Sequence, residues 1–206
     1  MGNTDTKNNK LAAGTAGFWN SYKERHPNIA QFLLFFMISN GVTLLQLVLM
    51  PVFKSLFEHT SLVSISFKVL QFGHNFDGTP YYVFDYAAGS LTAGGGGGLA
   101  YFLAVQITIA IAQIINFFVQ RNITFKSNSN IWRAAFWYLV AYIVITIGAA
   151  AAQGFYKAPI YHMFMSTWGS TGETAADLIS MIINSGISFL VFFPIFKIIF
   201  KQEPEK

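Results

Sequence analysis

Four long apolar stretches divide the chain, over residues 29–50, 99–119, 134–152 and 179–193. A helix needs roughly 20 apolar residues to cross the hydrocarbon core of a bilayer, and each stretch is near that length or extendable to it. The few polar residues inside them are uncharged. The alternation that marks barrel strands is not present. The pattern predicts four transmembrane helices, the first closed by Pro51 and the last punctuated by Pro194. The resulting organisation is a tail over 1–28, a four-helix domain over 29–200 carrying an external insertion at 52–98, and a tail over 201–206.

The polar residues within the spans recur at helical spacing. In the second span Gln106, Gln113, Asn116 and Gln120 are seven, three and four apart, steps that return to one helix face. Asp177, Ser180, Asn184 and Ser188 follow the same rule in the fourth span, and Tyr138, Tyr142 and Thr146 in the third. Asn40, Thr43 and Gln46 form a looser stripe in the first. Polar groups are costly against lipid, so these faces are expected to turn inward. Two readings stand. The amides and hydroxyls are interhelical ties, each contributing about 0.6–2 kcal/mol, or they line a path for something polar and uncharged, such as a sugar.

The insertion has its own pattern. "FKSLFEHT" places Phe53, Leu56 and Phe57 where they could face lipid at the membrane surface. Asp77-Gly78 and Thr79-Pro80 are turn signals between aromatic runs and fit a small hairpin. The glycine run Gly94–Gly98 reads as a flexible hinge or as a tight lead into the second span. It lacks the Lys and Ser/Thr that a phosphate-cradling loop needs after its glycines.

Composition agrees with a membrane protein. Of 206 residues, 53% are hydrophobic and only 11% charged, against about 25% charged in soluble domains, and mean hydropathy is +0.45. There is no cysteine, which excludes disulfides, thiolate metal sites and Cys nucleophiles. Ten of the 13 basic residues fall on one side: Lys7, Lys10, Lys23 and Arg25 in the N-tail, Arg121, Lys126 and Arg133 around the second link, and Lys197, Lys201 and Lys206 at the C-terminal end. Only Lys54, Lys68 and Lys157 fall on the other, so both termini are expected in the cytoplasm. "LAAGTAG" is too weak for a signal-peptide core, so the first span reads as an uncleaved anchor.

Arg121 and Arg133 flank the cytoplasmic link at headgroup depth. They either orient the protein by the positive-inside rule or grip a phosphate through the planar guanidinium. Lys157 is the less expected cation, just past the third span on the external side, where it reads as a solvated loop residue or a second phosphate contact. No nucleophile–base pair, acid pair or metal-ligand spacing is found, so the chain is expected to be neither an enzyme nor a cofactor or metal protein. "QIINFFVQRNITFK" (113–126) and "MIINSGISFLVFFPIFK" (181–197) share Ile-Ile-Asn, aromatics and a terminal lysine, which suggests two parallel helix-pair repeats.

"FLLFFMISNGVTLLQL" (32–47) and above all "IINFFVQRNITFK" (114–126) resemble the GtrA-like family of small bacterial membrane proteins. Its signature, Asn-Phe, then Arg, then Phe at the close of the second helix, matches Asn116-Phe117, Arg121 and Phe125. The chain departs from the family at Gln31, at Leu44–Gln46 and in its long external loop. The resemblance implies an all-α, four-helix protein of the bacterial cytoplasmic membrane that flips a polyprenyl-phosphate-linked monosaccharide to the external leaflet for cell-surface polysaccharide or teichoic acid glycosylation. The partners it implies are a membrane glycosyltransferase and the lipid-linked sugar. By position it singles out Asn116, Arg121, Arg133, Asn184 and, more loosely, Lys157. With the stripes, the expected path comprises Asn40, Gln106, Gln113, Asn116, Tyr142, Asn184 and Ser188, and the expected phosphate contacts are Arg121, Arg133 and Lys157. Four helices make a thin wall, which suits a homo-oligomer, and no nucleic-acid partner is expected. The rival readings are a non-transporting scaffold for the glycosyltransferase and a small proton-coupled exporter, for which Asp177 would be the sole carboxylate in the spans.

Overall fold

The computed structural model describes residues 17–169 and 171–204. Lys7, Lys10 and Lys206 of the tails lie outside them. The chain forms four helices long and apolar enough to cross a membrane, here α1 (Pro27–Phe57), α2 (Gly98–Val119), α3 (Ile131–Trp168) and α4 (Thr171–Ile199). A two-stranded antiparallel hairpin, β1 (Phe67–His74) and β2 (Pro80–Tyr86), lies between α1 and α2. The four apolar helices expected from the pattern are therefore present, consistent with a multi-pass, essentially all-α membrane protein, and the one sheet among the described residues lies in the insertion, where the turn signals fit a hairpin.

Three helices run past their expected ends. α1 continues through Pro51 to Phe57, so "FKSLF" extends the helix instead of lying apart on the surface. α4 continues through Pro194. α3 continues through Pro159 to Trp168, which places Lys157 within a helix and not in a loop. Proline removes one backbone donor, but neighbouring helices satisfy the freed groups, and membrane helices tolerate it. At 1.5 Å per residue, α3's 38 residues span about 57 Å, nearly twice the ~30 Å hydrocarbon thickness. α2 closes differently, in a π-helical turn over Gln120–Thr124.

The helices pack most closely as two pairs, α1 with α2 and α3 with α4. At one end, the link end, an aromatic cluster joins both pairs. Phe35 of α1, Phe117 of α2, Tyr138 of α3 and Phe196 of α4 are all buried there, with Phe125 from the link and Phe200 beyond α4. Tyr138 stacks on Phe196 with centroids 4.6 Å apart. The start of α1 and the end of α4 lie at this same end, where Lys197 Nζ donates to Asn28 Oδ1 at 2.7 Å. The C-terminal segment straps the link: Asn128 Nδ2 donates to Glu203 O at 2.8 Å and Glu203 N to Asn128 Oδ1 at 2.6 Å.

At the opposite end the hairpin joins the pairs. It is chained to α1 and α2, yet it docks on α3. Tyr81 Oη donates to Ala150 O at 3.1 Å. Gly73 and Gly154 meet so closely that a Cβ on Gly154 would stand 1.8 Å from Phe72 O. The tip is the expected Asp-Gly turn: Gly78 is left-handed, and Asp77 Oδ1 accepts from Thr79 N at 3.0 Å and Thr79 Oγ1 at 2.6 Å. The glycine run is a tight lead-in and not a hinge. Gly97 N and Gly98 N donate to Gly89 O and Ala87 O, and a Cβ on Gly98 would stand 2.5 Å from Val63 O.

Candidate functional site

Between the two pairs, beside the aromatic cluster, lies a chamber of about 330 Å³. All four helices supply polar side chains to it: Ser39, Thr43 and Gln46 from α1, Gln113 and Asn116 from α2, Tyr142 from α3, and Asn184, Ser185 and Ser188 from α4. None is charged. The polar stripes thus converge because each helix turns its uncharged polar face away from lipid and toward the interface of the pairs.

The hydrogen bonding of the chamber is uneven. Asn116 Nδ2 donates to Tyr138 Oη at 2.9 Å and to Gln113 Oε1 at 3.3 Å. Tyr138 Oη donates in turn to Gln113 Oε1 at 2.8 Å. That triangle ties α2 to α3. The amide oxygens Asn116 Oδ1 and Asn184 Oδ1 are buried with no hydrogen-bond partner. An unpaired buried acceptor costs about 1–3 kcal/mol, which water or another donor entering the chamber would relieve. Asn116 and Asn184 occupy matching positions in the two Ile-Ile-Asn segments.

The remaining path residues separate. Gln106 lies on a different groove, between α2 and α3. Asn40 is exposed, and its Nδ2 folds back on Phe36 O at 2.7 Å, so it leaves the path. Ser39 takes its place, a residue the sequence stripe passed over. Ser39, Thr43 and Gln46, at spacings of four and three, would have made the better stripe. Ser185 was also missed, because it sits one step from the Asn184 face. Gln120 is a structural tie. It is fully buried, with Nε2 donating to Phe35 O and Ser39 Oγ, each at 3.1 Å, and Oε1 accepting from Thr124 Oγ1 at 2.6 Å.

The three cations do not share a pocket with the chamber. Arg121 spends its guanidinium on the link, donating from Nη2 to Ser129 O at 2.7 Å and from Nη1 to Asn122 Oδ1 at 3.2 Å. Its Nε is buried without a partner. Arg133 is exposed in a separate cavity of about 510 Å³ at the link end, with Ser129, Trp137, Lys201 and Glu203 around it. Lys157 is far along α3, its ammonium 5.3 Å from the Tyr161 ring, and Tyr161 Oη donates to Asp177 Oδ1. The expected carboxylate of the fourth span is therefore engaged by a phenol. Comparison with protein-family models, curated proteins and solved structures finds no match for this chain.

Proposed function

We propose that the protein carries a sugar across a membrane, and that its substrate is a polyprenyl-phosphate-linked monosaccharide moved from the cytoplasmic to the external leaflet. The observation that supports this most directly is the pair of unpartnered amide oxygens, Asn116 Oδ1 and Asn184 Oδ1, beside an uncharged polar chamber drawn from all four helices. Sugar hydroxyls are donors that would satisfy them, whereas a cation or phosphate would find no countercharge there. The resemblance of "IINFFVQRNITFK" to the GtrA-like signature supports the same substrate. On this proposal the link end is cytoplasmic, the pairs are parallel repeats, and a membrane glycosyltransferase supplies the substrate in the bacterial cytoplasmic membrane. Transport runs downhill, since the sequence carries no ATP-binding motif. Arg133 and Lys201, in one link-end cavity, are the cations placed to take the phosphate. Arg121 serves the link.

The test is reconstitution in proteoliposomes with labelled polyprenyl-phosphate sugar. Asn184→Leu removes an acceptor without breaking a hydrogen bond seen among the described residues, so the expected result is a loss of transbilayer movement of about tenfold or more with unchanged thermal stability. Unchanged movement in that folded variant rejects the transport role. A scaffold for the glycosyltransferase is the second reading, favoured by the Asn116–Tyr138–Gln113 triangle and the saturated Gln120, which act as interhelical ties. It predicts that the protein moves no sugar-lipid in proteoliposomes and that Asn184→Leu leaves partner binding intact.

A further inference from the structure

Ahead of α1, residues 17–25 form a further helical segment that is exposed along most of its length. It ends at His26, whose backbone (φ −133°, ψ 61°) is not helical, and Pro27 then opens α1. The segment has two unlike faces. At about 100° per residue, Phe18, Tyr22 and Trp19 fall within one arc about 100° wide. Their rings form a ridge, with centroids 6.4 Å apart for Phe18 and Tyr22 and 6.0 Å for Trp19 and Tyr22. His26 extends it, 5.3 Å from Tyr22. Phe18 is 73% exposed. On the same wheel Arg25 borders the ridge on one side and Lys23 on the other, while Gly17, Asn20 and Glu24 take the opposite face. Lys23 and Arg25 are both exposed, and among the described residues neither is ion-paired with a carboxylate.

We propose that this segment lies along the link-end surface of the bilayer, ridge inward, and docks on anionic phospholipid headgroups. Position supports that occupant. Ile29 and Met37 of α1 are 50% and 66% exposed, which in a spanning helix is exposure to lipid, so the segment ends within about a turn of the hydrocarbon. Chemistry supports it too. Tyrosine and tryptophan rings suit the headgroup level. The stems of Lys23 and Arg25 can cover apolar surface while their charges reach lipid phosphates on either flank. Glu24, the only acid of the segment, sits on the face turned away. Size argues against a protein in that place. A helix of nine residues is about 13 Å long and offers far less than the roughly 800 Å² per partner of a stable interface. The docking reaches beyond the segment. Asn28, two residues past the break, accepts from Lys197 Nζ at 2.7 Å, so the anchor also sets the height of the end of α4.

The chain has no cysteine, so the full protein can carry one nitroxide label at a time, through Phe18→Cys, Tyr22→Cys or Asn20→Cys. Each is placed in nanodiscs of phosphatidylcholine alone or with about one-third phosphatidylglycerol. Collisions with oxygen, which concentrates in hydrocarbon, are compared with collisions with a nickel chelate, which stays in water. With phosphatidylglycerol present, labels at 18 and 22 should favour oxygen over nickel about tenfold more than the label at 20. Lys23→Gln combined with Arg25→Gln should raise the undocked population by about tenfold at low salt, since each cation near an anionic surface contributes to binding. Labels at 18, 20 and 22 equally open to nickel overturn the proposal. So does immersion indifferent to both the phosphatidylglycerol content and the double variant. Protection of 18 and 22 in native membrane vesicles but not in nanodiscs overturns it in favour of a protein partner.

Discussion

Asn116 in the last turn of α2 and Gln120 at the start of the π-helical turn lie about one turn apart, yet they meet opposite circumstances. Gln120 is saturated, with both ends of its amide engaged by α1 and Thr124. Asn116 keeps one buried oxygen free. Gln120→Ala should therefore lower stability by about 1–3 kcal/mol, because it leaves the Thr124 hydroxyl without its acceptor and removes the tie to Phe35 O and Ser39 Oγ. Thermal unfolding in detergent measures this, and a loss within error would mean that Gln120 is no tie. Asn184→Leu should differ, costing no stability because it removes an unpaired acceptor, while transport falls. The residue pattern made Asn116, Gln113, Tyr142, Asn184 and Ser188 legible as one inward set, and the structure does gather these five around the chamber. Asn40 was not legible. Its side chain can hydrogen-bond its own helix at Phe36 O, a local bond that removes the cost of facing outward.

The element that most alters the picture is the hairpin. Its turn was written in Asp77-Gly78, but its docking on α3 was not, because the contact partners are glycines. Gly73 and Gly154 carry no side chain from which to infer a contact, and their value is that two backbones approach closely. Gly154→Ala should undock the hairpin while α-helix content stays. Hydrogen exchange at 67–86 would rise in the variant, and unchanged protection would show that the contact is dispensable. The tip has its own pH dependence. The Thr79 hydroxyl and then its backbone N–H hold the Asp77 carboxyl below its ordinary 3.8. A carboxyl with a lowered folded value stabilises the turn above its ordinary range and loses that contribution as pH falls through the folded value. The protection factor of the Thr79 amide, its exchange relative to the free-chain rate at the same pH, should therefore be constant across neutral pH and fall only in acid below the ordinary carboxylate range. A fall in protection near neutral pH would assign the turn to another group.

At the scale of the whole molecule, two helix pairs are fastened at both ends by different means. Aromatic packing and the C-terminal strap hold the link end, and the hairpin holds the other. The polar chamber lies between these fastenings. The start of α1, the link and the end of α4 are brought to one end, the grouping required by the distribution of basic residues. The chain lacks cysteine, so single cysteines report sidedness cleanly. His59→Cys should react with a membrane-impermeant maleimide in intact cells, and Gln202→Cys only after permeabilisation. The reverse pattern would invert the proposed orientation and with it the direction of loading.

The apolar spans, their uncharged polar stripes and the hairpin turn were determined by sequence alone, because each depends on chemistry within a few neighbouring residues. Span lengths were understated at Pro51 and Pro194, since the local rule that proline ends helices ignores neighbouring helices, and the third span, read as ending at 152, runs on through Pro159. Tertiary structure decided which face each helix turns inward. A helix rotates about 100° per residue, so choosing Ser39 over Asn40 depends on how α1 sits against α2 and α4. It also decided what Arg121 holds. Nothing local to "NFFVQRNITF" shows that its guanidinium would be bound to Ser129 O, eight residues on, once the π-turn brings the link back beneath it.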